Sequence, residues 1–107
     1  MTVQSLFDGV AARLLREDDA IEQTRMMNSD GLKIAGKFFA MVSKGELVVK
    51  LPRERVDELV AAGAGHRFDP GHGRLMKEWV SLRPADEAAC ESYVSEARSF
   101  VAALAKR

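Results

Sequence analysis

The sequence predicts an α+β domain of two layers. A mainly antiparallel sheet of about five strands (a four-strand meander, a helix, then a fifth strand) has helices at both ends, in the order αββββαβα. Three observations carry this. Phe38 to Val42 is apolar throughout and Leu47 to Leu51 is apolar except at Lys50, while the link Ser43-Lys44-Gly45-Glu46 places Gly where a tight reversal needs positive φ. Two β-rich runs so joined read as an antiparallel hairpin. Apolar residues then recur at helical spacing on either side of the strands, which supplies a covering layer. Finally, 107 residues without internal repeat or linker suit one core, so residues 1–107 form a single domain in this reading.

The first helix is expected over residues 3–16. Val3, Leu6, Phe7, Val10 and Leu14 fall on one stripe, and Glu17-Asp18-Asp19, acids at the negative end of a helix dipole, mark the exit. Ile21 to Met27 is the first strand, Asn28-Ser29-Asp30-Gly31 the turn behind it, Leu32-Lys33-Ile34 a short second strand, and Ala35-Gly36 the turn into the central hairpin. Four successive strands on short turns make a meander. The uninterrupted apolar character of the central pair predicts strands covered by other elements, not a sheet open to water on one face.

Leu51-Pro52 closes the meander. Pro at a first helical position, with Glu54 behind it, starts the second helix. Its inner stripe is Val56, Leu59 and Val60, and Gly63 with Gly65 stops it. His66-Arg67-Phe68 reads as extended and Asp69-Pro70-Gly71-His72-Gly73 as loop. Arg74 to Leu82 alternates and is the fifth strand. Pro84 at N1, followed by Asp86 and Glu87, opens the third helix, with Ala89, Tyr93, Ala97, Phe100, Val101 and Leu104 as its inner side.

Sixteen basic and sixteen acidic residues cancel, seven of each sign in residues 1–50 and nine of each in residues 51–107. No basic tail draws nucleic acid and no acidic tail repels it. Cys90 is the single cysteine, so no internal disulfide is expected, and this usage suits a reducing compartment. No run approaches the roughly twenty apolar residues of a membrane span, and Asp8 interrupts the N-terminal apolar section, unlike a signal peptide. A cytoplasmic protein is the expectation.

Several residues invite a chemical reading, and most have a plainer one. Gly31-Leu-Lys-Ile-Ala-Gly36-Lys37 matches the spacing of a phosphate loop, but Phe38 stands where Ser or Thr must hold Mg²⁺, and the context runs strand to strand instead of strand to helix. His66 and His72 fit no common zinc spacing, with Asp69 alone a thin partner, so no metal and no cofactor is expected. Cys90 has Glu87 and Glu91 nearby, and negative neighbours blunt a thiol. There is no G-x-S-x-G elbow and no carboxylate pair set apart by apolar surroundings. No catalytic residue is assigned, and no enzyme is expected.

Two binding surfaces remain. Lys33, Lys37, Lys44 and Lys50 lie in the meander with Arg25. Converging on one face or edge they would contact phosphates, whereas lysines at strand edges otherwise block edge-to-edge aggregation. Phe38 and Phe39 are adjacent and point to opposite faces, so an uncovered face leaves one ring exposed as a dimer or partner surface. Together with the loop from His66 to Arg74, read as the mobile segment, this makes Phe38, Phe39, His66, His72 and Arg74 the expected partner-binding residues.

A family resemblance rests on motifs that fall in order. Arg25-Met26-Met27 is followed by Gly36-Lys37-Phe38-Phe39-Ala40, Leu47-Val48-Val49-Lys50-Leu51-Pro52, Val56-Asp57-Glu58-Leu59 and Met76-Lys77-Glu78-Trp79-Val80. This series resembles the N-terminal domain of the TfoX/Sxy family, known for regulators of competence, over about Arg25 to Leu82. Asn28-Ser29 stand where the family carries paired glycines. The chain stops after the third helix, so the resemblance implies a stand-alone N-terminal domain lacking the family's C-terminal domain. Small domains of the MmcQ/YjbR type are similar in layout and are discussed as DNA binders. The implied function is a non-enzymatic regulatory module that binds a protein partner or itself as a homodimer. The alternative is a nucleic-acid-binding regulator using the meander lysines.

Overall fold

Two reversals of two residues each set up the centre of the sheet. Ala35-Gly36 has φ of 54° and 77°, and Lys44-Gly45 has 53° and 77°. Positive φ at both central positions is the type I′ geometry, whose twist matches that of the strands it joins. The computed structural model describes residues 2–26, 29–69 and 76–105. Its elements are α1 (Val3–Glu17), β1 (Ile21–Met26), β2 (Ser29–Ile34), β3 (Lys37–Ser43), β4 (Glu46–Lys50), α2 (Arg53–Ala61), β5 (Gly65–Phe68), β6 (Met76–Leu82) and α3 (Glu87–Ala105). The strands form one sheet in the order β1-β2-β3-β4-β6-β5, each neighbouring pair antiparallel.

The class is therefore α+β, as expected, but the strand count differs. Gly65–Phe68, expected only as an extended approach to a loop, pairs with β6 as a sixth, edge strand. At four residues without an apolar run it gives a weak strand signal. Its first residue has to be glycine, because a Cβ there would collide with the Ser81 carbonyl oxygen across the ladder.

Capping fixes the helix ends. The Ser5 amide donates to Thr2 Oγ1 at 3.1 Å and the Thr2 amide donates to Ser5 Oγ at 3.2 Å, a reciprocal box at the start of α1. Gly63, at φ 76°, ends α2, with the Ala64 amide donating to the Leu59 carbonyl at 2.9 Å. Pro52 is the N-cap of α2, so the helix opens at Arg53, one residue later than expected. The third helix begins later than Pro84 suggested. Asp86 accepts from the Ala89 amide at 2.8 Å, and the helix opens at Glu87. Its buried stripe is correspondingly Cys90, Val94, Ala97 and Val101. Tyr93 and Phe100 pack only along its flank.

One apolar core joins all three helices to the sheet. Leu6, Phe7, Val10 and Leu14 of α1, Val56 and Leu59 of α2 and the α3 stripe meet Leu32, Phe39, Ala40, Val42, Leu47, Val49, Val80 and Leu82. The helices thus share one face, and on the other face the central-strand residue Val48 is fully buried as well. A bulge explains the misleading apolar run. Leu32 pairs with Ala40 and Lys33 with Phe38, so Phe39 is an extra residue in β3. Phe39 and Ala40 both turn into the core, while Phe38 and Met41 lie on the opposite face. Five consecutive apolar residues then serve two faces unequally, with the helices over one of them.

Ion pairs tie the helices together outside the core. Arg55 of α2 reaches Glu96 of α3 at 2.8 Å, Arg13 of α1 reaches Glu91 of α3 at 2.6 Å, and Arg98 of α3 pairs with Asp18 at the end of α1. The Asp18 carboxyl is held below the usual carboxylate range, first by the Ala20 amide that it accepts from and then by Arg98. No described helix is long and apolar enough to cross a membrane.

Candidate functional site

The face of the sheet turned away from the helices is set by strand register, since paired residues of antiparallel strands share a face. Lys33 pairs with Phe38, Met41 with Val48, Val48 with Ser81, Lys50 with Trp79, and His66 with Ser81. These residues therefore stand on the helix-free side. Phe38, Met41 and Trp79 are half-buried there, and Val48 and Ser81 are fully buried although no helix lies over them. Phe68 and Asp69 line one small cavity with Ser43, Lys44, Glu46, His66 and Ser81.

The two ends of this face differ chemically. At one end Lys33 Nζ lies 4.5 Å from the centre of the Phe38 ring, and Lys50 Nζ lies 6.0 Å from that of Trp79. Exposed cation–π contacts of this kind contribute about 0.5–1 kcal/mol each. The Phe38 ring also explains Gly31, where a Cβ would come within 2.6 Å of the ring edge. The glycine is a seat for the aromatic ring.

At the other end Glu46, with a side chain 16% exposed, is held between His66 Nε2 at 3.1 Å and Arg83 Nε at 3.1 Å. A second shallow cavity, lined by Gly63, Ala64, Gly65, His66, Ser81, Arg83 and Glu46, adjoins the first across this trio. Ser81 beside a His–Glu pair brings nucleophilic hydrolases to mind. However, Nδ1 of His66 faces the Arg67 carbonyl at 3.3 Å while Nε2 faces Glu46. Neither nitrogen is turned to Ser81, so the trio is a bridge between β4, β5 and the chain after β6 and lacks the relay that a serine nucleophile requires.

The expected partner-binding residues divide. Phe38 and His66 lie on the helix-free face, His66 exposed. Phe39 is fully buried in the core and has no surface to offer, because the bulge turns it inward. His72 and Arg74 lie outside the described residues. Of the expected phosphate contacts, Lys33 and Lys50 share the helix-free face. Lys37 is exposed at the start of β3, near their end of the sheet, while Lys44 occupies the reversal at the opposite end of the same strand. Arg25 pairs with Asp30 in the β1–β2 ladder. The lysines therefore do not converge as one group.

Trp79, Met41 and Glu46 are not among the residues expected to bind. The signal for Met41 lay in the hairpin register, which pairs it with Val48 and so opens a second face, whereas Trp79 is placed by its pairing with Lys50 across β4 and β6. The formal match Gly31 to Lys37 runs through β2, a turn and the start of β3, with no helix N-terminus behind it. Cys90 is fully buried, and burial first, then Glu87, pushes its thiol up to about 11. Among the described residues no three His, Cys, Asp or Glu side chains are grouped to hold a metal ion. No protein-family model, no curated protein and no solved structure matches this chain.

Proposed function

We propose that this chain is a non-enzymatic interaction module resembling the TfoX N-terminal domain, and that it works through the helix-free face of its sheet. One observation carries the reading: three helices share a single face, leaving Phe38, Met41 and Trp79 half-buried on the other, where no described helix covers them. Aromatic and methionine side chains are the types enriched where surfaces associate. A protein partner or a second copy is the first expectation from the sequence. Nucleic acid is the second, and the pairing of Lys33 with Phe38 and Lys50 with Trp79 favours it.

Substituting Phe38→Glu tests the face itself. It places a charge at the centre of the apolar band while Phe39 keeps the core intact. The expected result is loss of self-association in sedimentation and of any ligand bound by the unmodified protein, with the fold retained by circular dichroism. Arg16→Glu, on the exposed side of α1, serves as the control and leaves binding unchanged. A Phe38→Glu protein that keeps every association would overturn the proposal.

A further inference from the structure

We infer that the occupant of the helix-free face is a single-stranded nucleic acid. Phe38 and Trp79 serve as stacking platforms for bases, and Lys33 and Lys50 as contacts to phosphates. This rests on the reading that this face is the working surface.

The register makes the case. Lys33 pairs with Phe38, Ala40 with Val49 and Lys50 with Trp79. Continuing the β3–β4 register from Ala40 brings Phe38 beside the Lys50–Leu51 end of β4. The neighbouring strands β2, β3, β4 and β6 therefore present Lys, Phe, Lys and Trp in one band across the sheet. Phe38 and Trp79 are two strands apart, about 10 Å at ordinary strand spacing, which leaves room for a base on each ring.

The chemistry selects the ligand. A flat ring on an open sheet accepts any base by stacking, and a cation beside each ring meets the phosphate that accompanies the base. An acidic peptide would satisfy the lysines but brings no flat partner for the rings. A duplex keeps its bases stacked inside, and this face carries no helix to enter a groove. Each ammonium rests near its ring. An exposed contact of that kind yields when a base takes the ring and a phosphate takes the cation. Carboxylates oppose the arrangement, Asp69 beside the cavity at the far end among them. Glu22 stands across from Lys33 in the β1–β2 ladder, whereas Glu46 is engaged by His66 and Arg83 at the far end. Zero net charge means that stacking, more than long-range attraction, has to supply the affinity.

Trp79 is the only tryptophan in the chain, so its own fluorescence reports stacking. The experiment titrates the full chain with a labelled oligothymidylate of about ten nucleotides, following anisotropy and tryptophan emission at several salt concentrations. The expected result is binding accompanied by quenching, with a log–log salt slope near −1.4 for two phosphate contacts at about 0.7 each. Trp79→Leu, which keeps apolar bulk but removes the π-face, weakens binding roughly tenfold. Lys50→Gln reduces the slope by about 0.7. Should Trp79→Leu unfold, Phe38→Leu provides the same comparison with the tryptophan signal intact.

Binding without quenching, binding indifferent to both ring substitutions, tighter binding of a duplex or of an acidic peptide, or no binding at all overturns the inference. The two levels separate cleanly. If the oligonucleotide fails to bind while Phe38→Glu still removes self-association, the nucleic-acid inference falls and the working face stands. If Phe38→Glu alters nothing, both fall.

Discussion

Phe38 and Phe39 are neighbours in sequence and end on opposite sides of the sheet. Phe39 is fully buried against the helices, where each added methylene has a neighbour to touch. Phe38 lies half-buried over Gly31, beneath one lysine, on a face that no helix covers. The comparison teaches that apolar character alone does not decide which side of a sheet becomes core. The bulge at Phe39 and the choice of glycine at position 31 decide it. Together they divide one hydrophobic run between the face that holds the fold and the face proposed for contact.

That division can be broken most forcefully at the two rings. Phe39→Ala leaves a cavity in a close-packed core and is expected to cost about 3–5 kcal/mol in urea unfolding. Phe38→Ala, starting from a half-exposed site, costs about 1 kcal/mol by the usual burial coefficient. Equal losses would mean that the faces are equally packed. Two glycines sharpen the contrast at the next level. Gly65→Ala sets a Cβ against the Ser81 backbone, which cannot step aside, and about 2 kcal/mol or more is expected, with loss of amide protection along β5. Gly31→Ala meets only the Phe38 ring, which can swing toward solvent. It costs about 1 kcal/mol, and this disappears in a Phe38→Ala background, a coupling that a double-mutant cycle measures.

Smaller effects are expected where polar groups meet at the surface. Glu46→Gln weakens the bridge to His66 and Arg83, whose side chains are 63% and 79% exposed, so the stability change stays below about 1 kcal/mol and fades in high salt. Asp18 gives a pH signature of definite sign. Its carboxyl is depressed in the folded state, so its contribution is complete above the ordinary carboxylate value and is lost as pH falls through the folded one. Asp18→Asn should therefore be less stable than the unmodified chain near neutrality and approach it on acidification below about pH 4, as thermal melts across pH would reveal.

Much of the fold was legible in the sequence because its signals are local. The type I′ dipeptides, the α1 stripe and the Gly63 stop each depend on a few adjacent residues. The sixth strand was not legible, since Gly65 to Phe68 has no periodicity and is held by its partner β6. Of the α3 stripe, Ala97 and Val101 were legible, while Cys90 and Val94 are buried where Ala89 and Tyr93 were expected, and the helix opens at Glu87 behind the Asp86 side-chain cap. At the candidate site, Phe38 and His66 were legible as surface, while Phe39 was not, because a bulge is a property of two strands in register. The alternation of Arg74 to Leu82 does not say which side of that strand is buried, and the Lys50–Trp79 pairing puts Trp79 on the helix-free face.

The most direct measurement is a map of backbone amide shifts as the oligothymidylate is added to the labelled protein. Shifts concentrated at Lys33, Phe38, Met41, Lys50 and Trp79, with α1 and α3 undisturbed, are the expected result. Shifts concentrated on the outer surfaces of the helices, or none on the sheet, would contradict the assignment of the helix-free face as the working surface.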